Sequence, residues 1–194
     1  MGRGLLAAVL GGVLVAAWAP ERAPSRDEPP VGFSGGFGED TCVACHFEAD
    51  LNTGPGALSL EGLPEGYAPG KSYPVTVVLT RPGMKIGGFE LTARFQEGGA
   101  QAGSLEPAAG EEAHVKVSAS FDVQYAHHVR AGTEVVKADT ARWRVVWTAP
   151  ARAGGPVQFN AAGNAADADD SQFGDYVFAT SASAPAATSE PDRR

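Results

Sequence analysis

Residues 142–148, RWRVVWT, set large apolar side chains at every second position. A period of two places Trp143, Val145 and Trp147 on one face of a strand and Arg142 and Arg144 on the other. The alternation recurs on both sides of this stretch. Tyr73, Val75, Val77 and Leu79 share a face of SYPVTVVLT (72–80), and Phe89, Leu91, Ala93 and Phe95 share a face of GFELTARFQ (88–96). Phe121, Val123 and Tyr125 repeat the pattern, then Val157, Phe159 and Ala161, with Tyr176 and Phe178 last. Helical periodicity is weak throughout. Turn formers separate the runs: Pro82-Gly83, Gly98-Gly99, Gly132-Thr133, Gly154-Gly155-Pro156 and Asp167 to Asp170. Short strands with this punctuation predict a mostly β chain folded as an antiparallel sandwich, with the strand aromatics in its core.

The ends have a different character. Arg3 precedes an uncharged Leu, Ala, Val and Gly run from Leu5 to Trp18, and Ala17-Trp18-Ala19 is a small-x-small cleavage signature. The run is short for a membrane span of roughly 20 residues, so residues 1–19 read as an export signal. Pro20 is a poor neighbour for the cut, which leaves open an uncleaved segment tethering the protein to the membrane. Residues 20–38 are rich in Pro, Gly and charge and read as a linker, and residues 182–194 as a disordered tail. Between them, residues 39–181 suffice for one domain with a sizeable core. With 23 Asp and Glu against 15 Lys and Arg, the chain lacks the basic footprint that nucleic acid requires. Its acidity reads as solubility rather than as the mark of a specific basic partner.

Both cysteines lie in Cys42-Val43-Ala44-Cys45-His46. Two thiols on one turn can bond the two vinyl groups of a haem while the following histidine binds the iron, and C-x-x-C-H is the signature of c-type attachment. Export favours this reading. Zinc would need a second tight ligand pair, and His127-His128 are adjacent rather than three to five apart. A thioredoxin-like role needs a βαβ setting that does not follow here. A Cys42–Cys45 disulfide would close a very small loop, constrain the unfolded chain little and leave His46 without a role. One covalent haem c is the expected cofactor. Asn160, Asn164 and the Asp167–Asp170 cluster suit turn hydrogen bonding better than a calcium loop.

After the motif, the order of GYAPGKSYPVTVVL (66–79), GGFELTARF (87–95), AGSL (102–105), YAHHVRAGT (125–133), WRVVWTAPA (143–151) and VQFNAAGNAADADDSQFGDYVFATS (157–181) resembles the bacterial reelin-type (reeler), or choice-of-anchor, domain. The resemblance runs from Glu39 to Ser181 and is most specific at W-x-V-x-W-T-A-P and F-x-A-A-G-N-A-A. It implies an exported immunoglobulin-like β-sandwich of a kind that sometimes bears haem, without implying a substrate. Many bacterial members continue into a C-terminal sorting anchor; this sequence ends in a charged tail, so anchoring by that route is not expected.

With His46 on one side of the iron, the sixth ligand would come from His114, His127, His128 or Met84. His114 reads as solvated between its acidic neighbours, and Met84 as a turn residue. Alternation from Phe121 through Tyr125 puts His127 on the inward face and His128 opposite. The resemblance implies the reverse, since reeler-type domains tend to show Tyr-x-x-His with a Gly-Thr starting four residues after the histidine. That registers Tyr125, His128, Gly132 and Thr133, and alternation fails at a strand end. The expectation is bis-histidine iron held by His46 and His128, with His127 and Met84 as alternatives. The expected function is one-electron transfer in the periplasm or at the cell surface, with a redox partner that the sequence does not identify. No nucleophile–base pair or paired carboxylates stand out, so electron transfer is favoured over catalysis. The alternative is an extracellular binding or adhesion module in which Cys42 and Cys45 form a local disulfide or metal site.

Overall fold

The computed structural model describes residues 27–135 and 137–187. Residues 1–19, read as an export signal, and the last residues of the tail lie outside them. Among the described residues, nine strands form two antiparallel sheets: β1 (Ala57–Glu61), β2 (Ser72–Thr80), β3 (Ile86–Phe95), β4 (Ser104–Pro107), β5 (Val115–Ser120), β6 (Val123–His128), β7 (Thr140–Thr148), β8 (Val157–Ala166) and β9 (Tyr176–Ala184). One sheet has the order β1-β2-β7-β4 and the other β5-β6-β3-β8-β9. Among the described residues, helix is limited to two short 3-10 turns, Cys42–Ala44 and Arg130–Thr133. The chain is a β-sandwich.

The alternating residues meet between the sheets. Val75, Val77 and Leu79 of β2 and Trp143, Val145 and Trp147 of β7 face Phe89, Leu91 and Ala93 of β3 and Val157, Phe159 and Ala161 of β8, and all are essentially inaccessible to water. Trp143 stacks on Phe89 at a centroid distance of 4.6 Å, and Trp147 meets Phe159 edge-on at 4.9 Å. Each indole N–H finds a carbonyl: Trp143 donates to Gly132 O at 2.6 Å and Trp147 to Ala102 O at 2.8 Å. Burial therefore leaves neither tryptophan with an unmet donor.

Phe121 departs from the expected pattern. Ser120 pairs with Val123, so Phe121 and Asp122 form a two-residue hairpin loop with φ of 47° and 64°. Turns of this hand match the twist of the flanking strands and need φ > 0 at both central positions. Phe121 is consequently 99% exposed, and the alternation begins at Val123.

The domain also extends beyond the span expected for it. Tyr67 N donates to Pro185 O, and Ala187 N donates to Tyr67 O. Residues 182–187, assigned by composition to the tail, thus continue β9 and then pair with the chain beside Tyr67. A small-residue composition says little about strand pairing, which is made by the backbone.

Candidate functional site: a cavity at one end of the five-stranded sheet

Strand β8 is buried on both faces over nearly its whole length. The core covers one face. The other carries Asn160 and Asn164 beside Thr92 and Gly88 of β3, in the register Thr92↔Asn160 and Gly88↔Asn164. Residues 32–46 cover this outer face, so the part of the supposed linker from Gly32 onward is docked on the domain. Polar bonds hold it. Glu39 accepts from Arg94 at 2.7 Å and from the Tyr125 hydroxyl at 2.6 Å through Oε1, and from Ser34 at 2.7 Å through Oε2. Glu90, on β3, accepts from the N–H groups of Gly32 at 3.1 Å and Phe33 at 2.6 Å. Gly36 lies so close to the sheet that a Cβ there would overlap Asn160. Composition, which reads this stretch as a linker, does not register an anchor made of hydrogen bonds.

The docked segment leads directly into the cysteine motif. Thr41 caps the 3-10 turn, and the N–H groups of Cys45 and His46 both reach Cys42 O, at 3.1 and 2.9 Å. This winds Cys42, Cys45 and His46 into one turn at the mouth of a cavity of about 230 Å3. The turn meets there Gly88 and Glu90 of β3, His128 of β6 and Asn164 of β8, with Phe33 and Ile86 supplying apolar wall. Both cysteines are unbridged. Burial, with Glu90 nearby, pushes the Cys42 thiol up to about 12, so it is protonated at neutral pH.

His46 is held from behind. Its Nδ1 lies 2.5 Å from Asp175 Oδ2, and Asn164 Nδ2 lies 3.1 Å from each of these atoms. Asp175 is 2% exposed, at the last position before β9. An Nδ1–H donated to a buried carboxylate fixes the ring's orientation and tautomer and leaves Nε2 as the nitrogen for a ligand bond, the usual arrangement behind metal-bound histidines. On the outer-face side, Glu90 is 3% exposed. Burial pushes its carboxyl up to about 8 against the pull of its two N–H donors. Its Oε2, like Asp175 Oδ1 and Asn164 Oδ1, is buried with no hydrogen-bond partner among the described residues.

Of the two adjacent histidines, His128 lines this cavity. Strands β3 and β6 pair only at Glu90↔His127 and Leu91↔Ala126. Where the next pair would form, the His128 ring closes on β3 instead, with Nδ1 3.0 Å from Phe89 N and 3.3 Å from Phe89 O. Gly88 makes room for it, since a Cβ there would come within 2.7 Å of the ring. His127 turns to the outer face, where its Nδ1 reaches His128 O at 2.9 Å and its Nε2 reaches Ser118 at 3.0 Å. Alternation does carry Val123, Tyr125 and His127 to one face, but that face is the one under residues 32–46. Met84 is buried in the core, and His114 is largely exposed beside Glu111.

The residues present fit a covalently attached haem: two unbridged thiols and a carboxylate-backed imidazole on one turn, with a second imidazole in the same cavity beside a side-chain-free Gly88. They fit a bare ion less well, because among the described residues no three His, Cys, Asp or Glu side chains converge on a common point. Asp169 and Asp167 accept from backbone N–H groups two residues on, the turn chemistry expected of that loop. Nothing in the sequence singles out Asp175, and Glu90 reads there as an ordinary outward residue of a strand. Asn160 and Asn164, read in the sequence as turn formers, instead lie within β8 on the outer face of its sheet, because the backbone there stays paired with β3 and β9.

No family model and no curated protein matches the sequence. Solved structures do. The human F-spondin reeler domain superposes with a TM-score of 0.50 at 21% identity, covering 71% of this chain and 94% of that one. A second structure, of the Reelin-N domain of F-spondin, gives a TM-score of 0.50 at 21% identity over 73% of this chain and 94% of the other. The fold is therefore a reeler-type β-sandwich.

Proposed function

We propose that the protein is an exported monohaem c-type cytochrome that transfers single electrons in the periplasm or at the cell surface. Cys42 and Cys45 would hold the haem as thioethers, and His46 and His128 would bind its iron. The observation that carries this reading is the His46–Asp175 bond. A solvated or merely structural histidine does not need a buried carboxylate at Nδ1, whereas a metal-bound one commonly has it. The bound group supplies a one-electron couple at iron. The chain supplies the rest. Asp175 orients His46, Asn164 donates to the same Asp175 oxygen and holds the carboxylate in place, and Phe33 and Ile86 restrict water. For His128 to coordinate through Nε2, its Nδ1 must carry the proton and donate to Phe89 O rather than accept from Phe89 N.

Protein from a strain competent in cytochrome c maturation should retain one haem by intact mass after acid–acetone extraction. A mass equal to the bare polypeptide would overturn the assignment in favour of a binding or adhesion module. His128→Ala should keep the haem but turn a low-spin spectrum high-spin or open it to carbon monoxide. If His127→Ala or Met84→Ala does so instead, the sixth ligand is misassigned.

A further inference from the structure

The charge of this molecule is unevenly placed. Residues 39–70 and 153–187 contain no lysine or arginine, and these two stretches supply the loops that frame the cavity mouth. His46 is followed at once by Phe47, and Asp175 is preceded by Phe173 two residues earlier. These two rings meet edge-on at 5.8 Å across the gap between the loops, and a Glu48 carboxylate oxygen accepts from Gly174 N beside them. Phe47 is 50% and Phe173 53% exposed. The sandwich core does not use them, and as a joined pair they form more than a scattered surface residue. Around them stand the exposed carboxylates of Glu48, Asp50, Asp167 and Asp169, and Asp169 also lines the cavity. The turn between β2 and β3 brings Arg81, stacked on Tyr176 at 3.8 Å, and Lys85 to this end. The acidic character thus belongs to the two loops rather than to the whole end.

The geometry points to this rim as the docking surface for a basic redox protein, one that presents lysines around an apolar contact patch at its own electron port. The inference rests on the cytochrome reading, because it takes the cavity behind the rim as the place where the electron resides. Charge complementarity selects the occupant. An excess of carboxylates on the two loops beside an apolar centre repels acidic proteins and steers basic ones. The exposed ring pair is small, as suits the limited, short-lived interfaces of electron-transfer encounters.

The test is calorimetric titration of the purified full chain, its haem content fixed beforehand by mass, with mitochondrial cytochrome c as a basic redox probe. Association is expected at low ionic strength and should weaken by about tenfold or more at physiological salt. The triple variant Asp167→Lys, Asp169→Lys, Asp170→Lys should weaken it by about tenfold or more, and Phe173→Ala by about threefold to tenfold. Glu65→Lys, Glu97→Lys, Glu106→Lys changes net charge equally but sits elsewhere on the sandwich and should change affinity by less than about twofold. Cytochrome c with its lysines succinylated should not bind. No association, equal losses in the two triple variants, or undiminished binding of the succinylated probe would each overturn the docking surface. Because the readout does not require electron transfer, a bare-polypeptide mass would overturn the cytochrome reading separately.

Discussion

The space between the two sheets and the outer face of the five-stranded sheet are both closed to water, but by opposite means. Between the sheets, Trp143, Trp147, Phe89 and Phe159 interlock, and the stabilisation is apolar area removed from water, with two indole hydrogen bonds to prevent loss. On the outer face, Gly36 of the docked chain lies on Asn160, and two glutamates, Glu39 and Glu90, hold that chain by hydrogen bonds. An apolar layer tolerates small shifts because dispersion has no direction. A layer joined through two carboxylates depends on a few directional contacts and on pH. The difference teaches where function can sit: the apolar layer supports, and the polar layer, held by a few directional bonds, carries the cavity.

The comparison can be broken most severely from the apolar side. Trp147→Ala should cost about 3–5 kcal/mol and lower the denaturation midpoint of the whole domain as read by tryptophan-independent circular dichroism. A loss confined to residues 32–46 would contradict it. Glu39→Ala strands Arg94, Tyr125 and Ser34, part-buried partners, and should cost roughly 2–3 kcal/mol. That loss should appear as faster hydrogen exchange in residues 32–46 with the strand amides still protected.

Titration sharpens the contrast further. The folded Glu90 carboxyl, raised to about 8, holds its proton more tightly than in the unfolded chain, where a glutamate titrates near 4.3. Its contribution is therefore complete below that lower value and is lost as pH rises through about 8. Stability should fall by roughly 1–3 kcal/mol between pH 5 and 8.5. Glu90→Gln, which can still accept from Gly32 and Phe33, should flatten this part of the profile in denaturant titrations; an unchanged slope would assign the pH dependence elsewhere. The smallest effect concerns the site itself. Under the cytochrome reading, Asp175→Asn makes His46 a weaker donor and should raise the midpoint potential by on the order of 50 mV, about 1 kcal/mol for one electron, with the haem still attached. A potential unmoved by this change would leave Asp175 with a purely structural part.

Legibility followed the same division. Strands β2, β3, β7 and β8 were readable because a period of two with one apolar face is the physical requirement of a sandwich core, and Trp143 to Trp147 meets it. Strands β1, β4 and β5 escaped notice: Ser104-Leu105-Glu106-Pro107 and Lys116 to Ser120 are too short or too polar to show a face. Phe121 misled because a hairpin loop took the place of the next strand residue. At the site, the cysteine turn announced itself through spacing. The proximity of His128 to it depended on where β6 leaves β3, which alternation within the strand does not encode. Asp175 was invisible, since its partner lies far away in the chain and one aspartate before a strand resembles any other.

That separation has a consequence for the order in which the molecule assembles. His46 meets Asp175 across 129 residues, and Glu39 meets Tyr125 across 86. Closing such long loops is entropically slow, whereas β5 and β6 are joined by a two-residue turn and fold locally. The sandwich can condense before the cysteine turn has anything to dock against. Cys42 and Cys45, ahead of every strand, would then remain accessible to a maturation enzyme during that interval. The His46–Asp175 bond closes beside them only when the chain just before the last strand is in place, so under the cytochrome reading folding would set the time window for the covalent step.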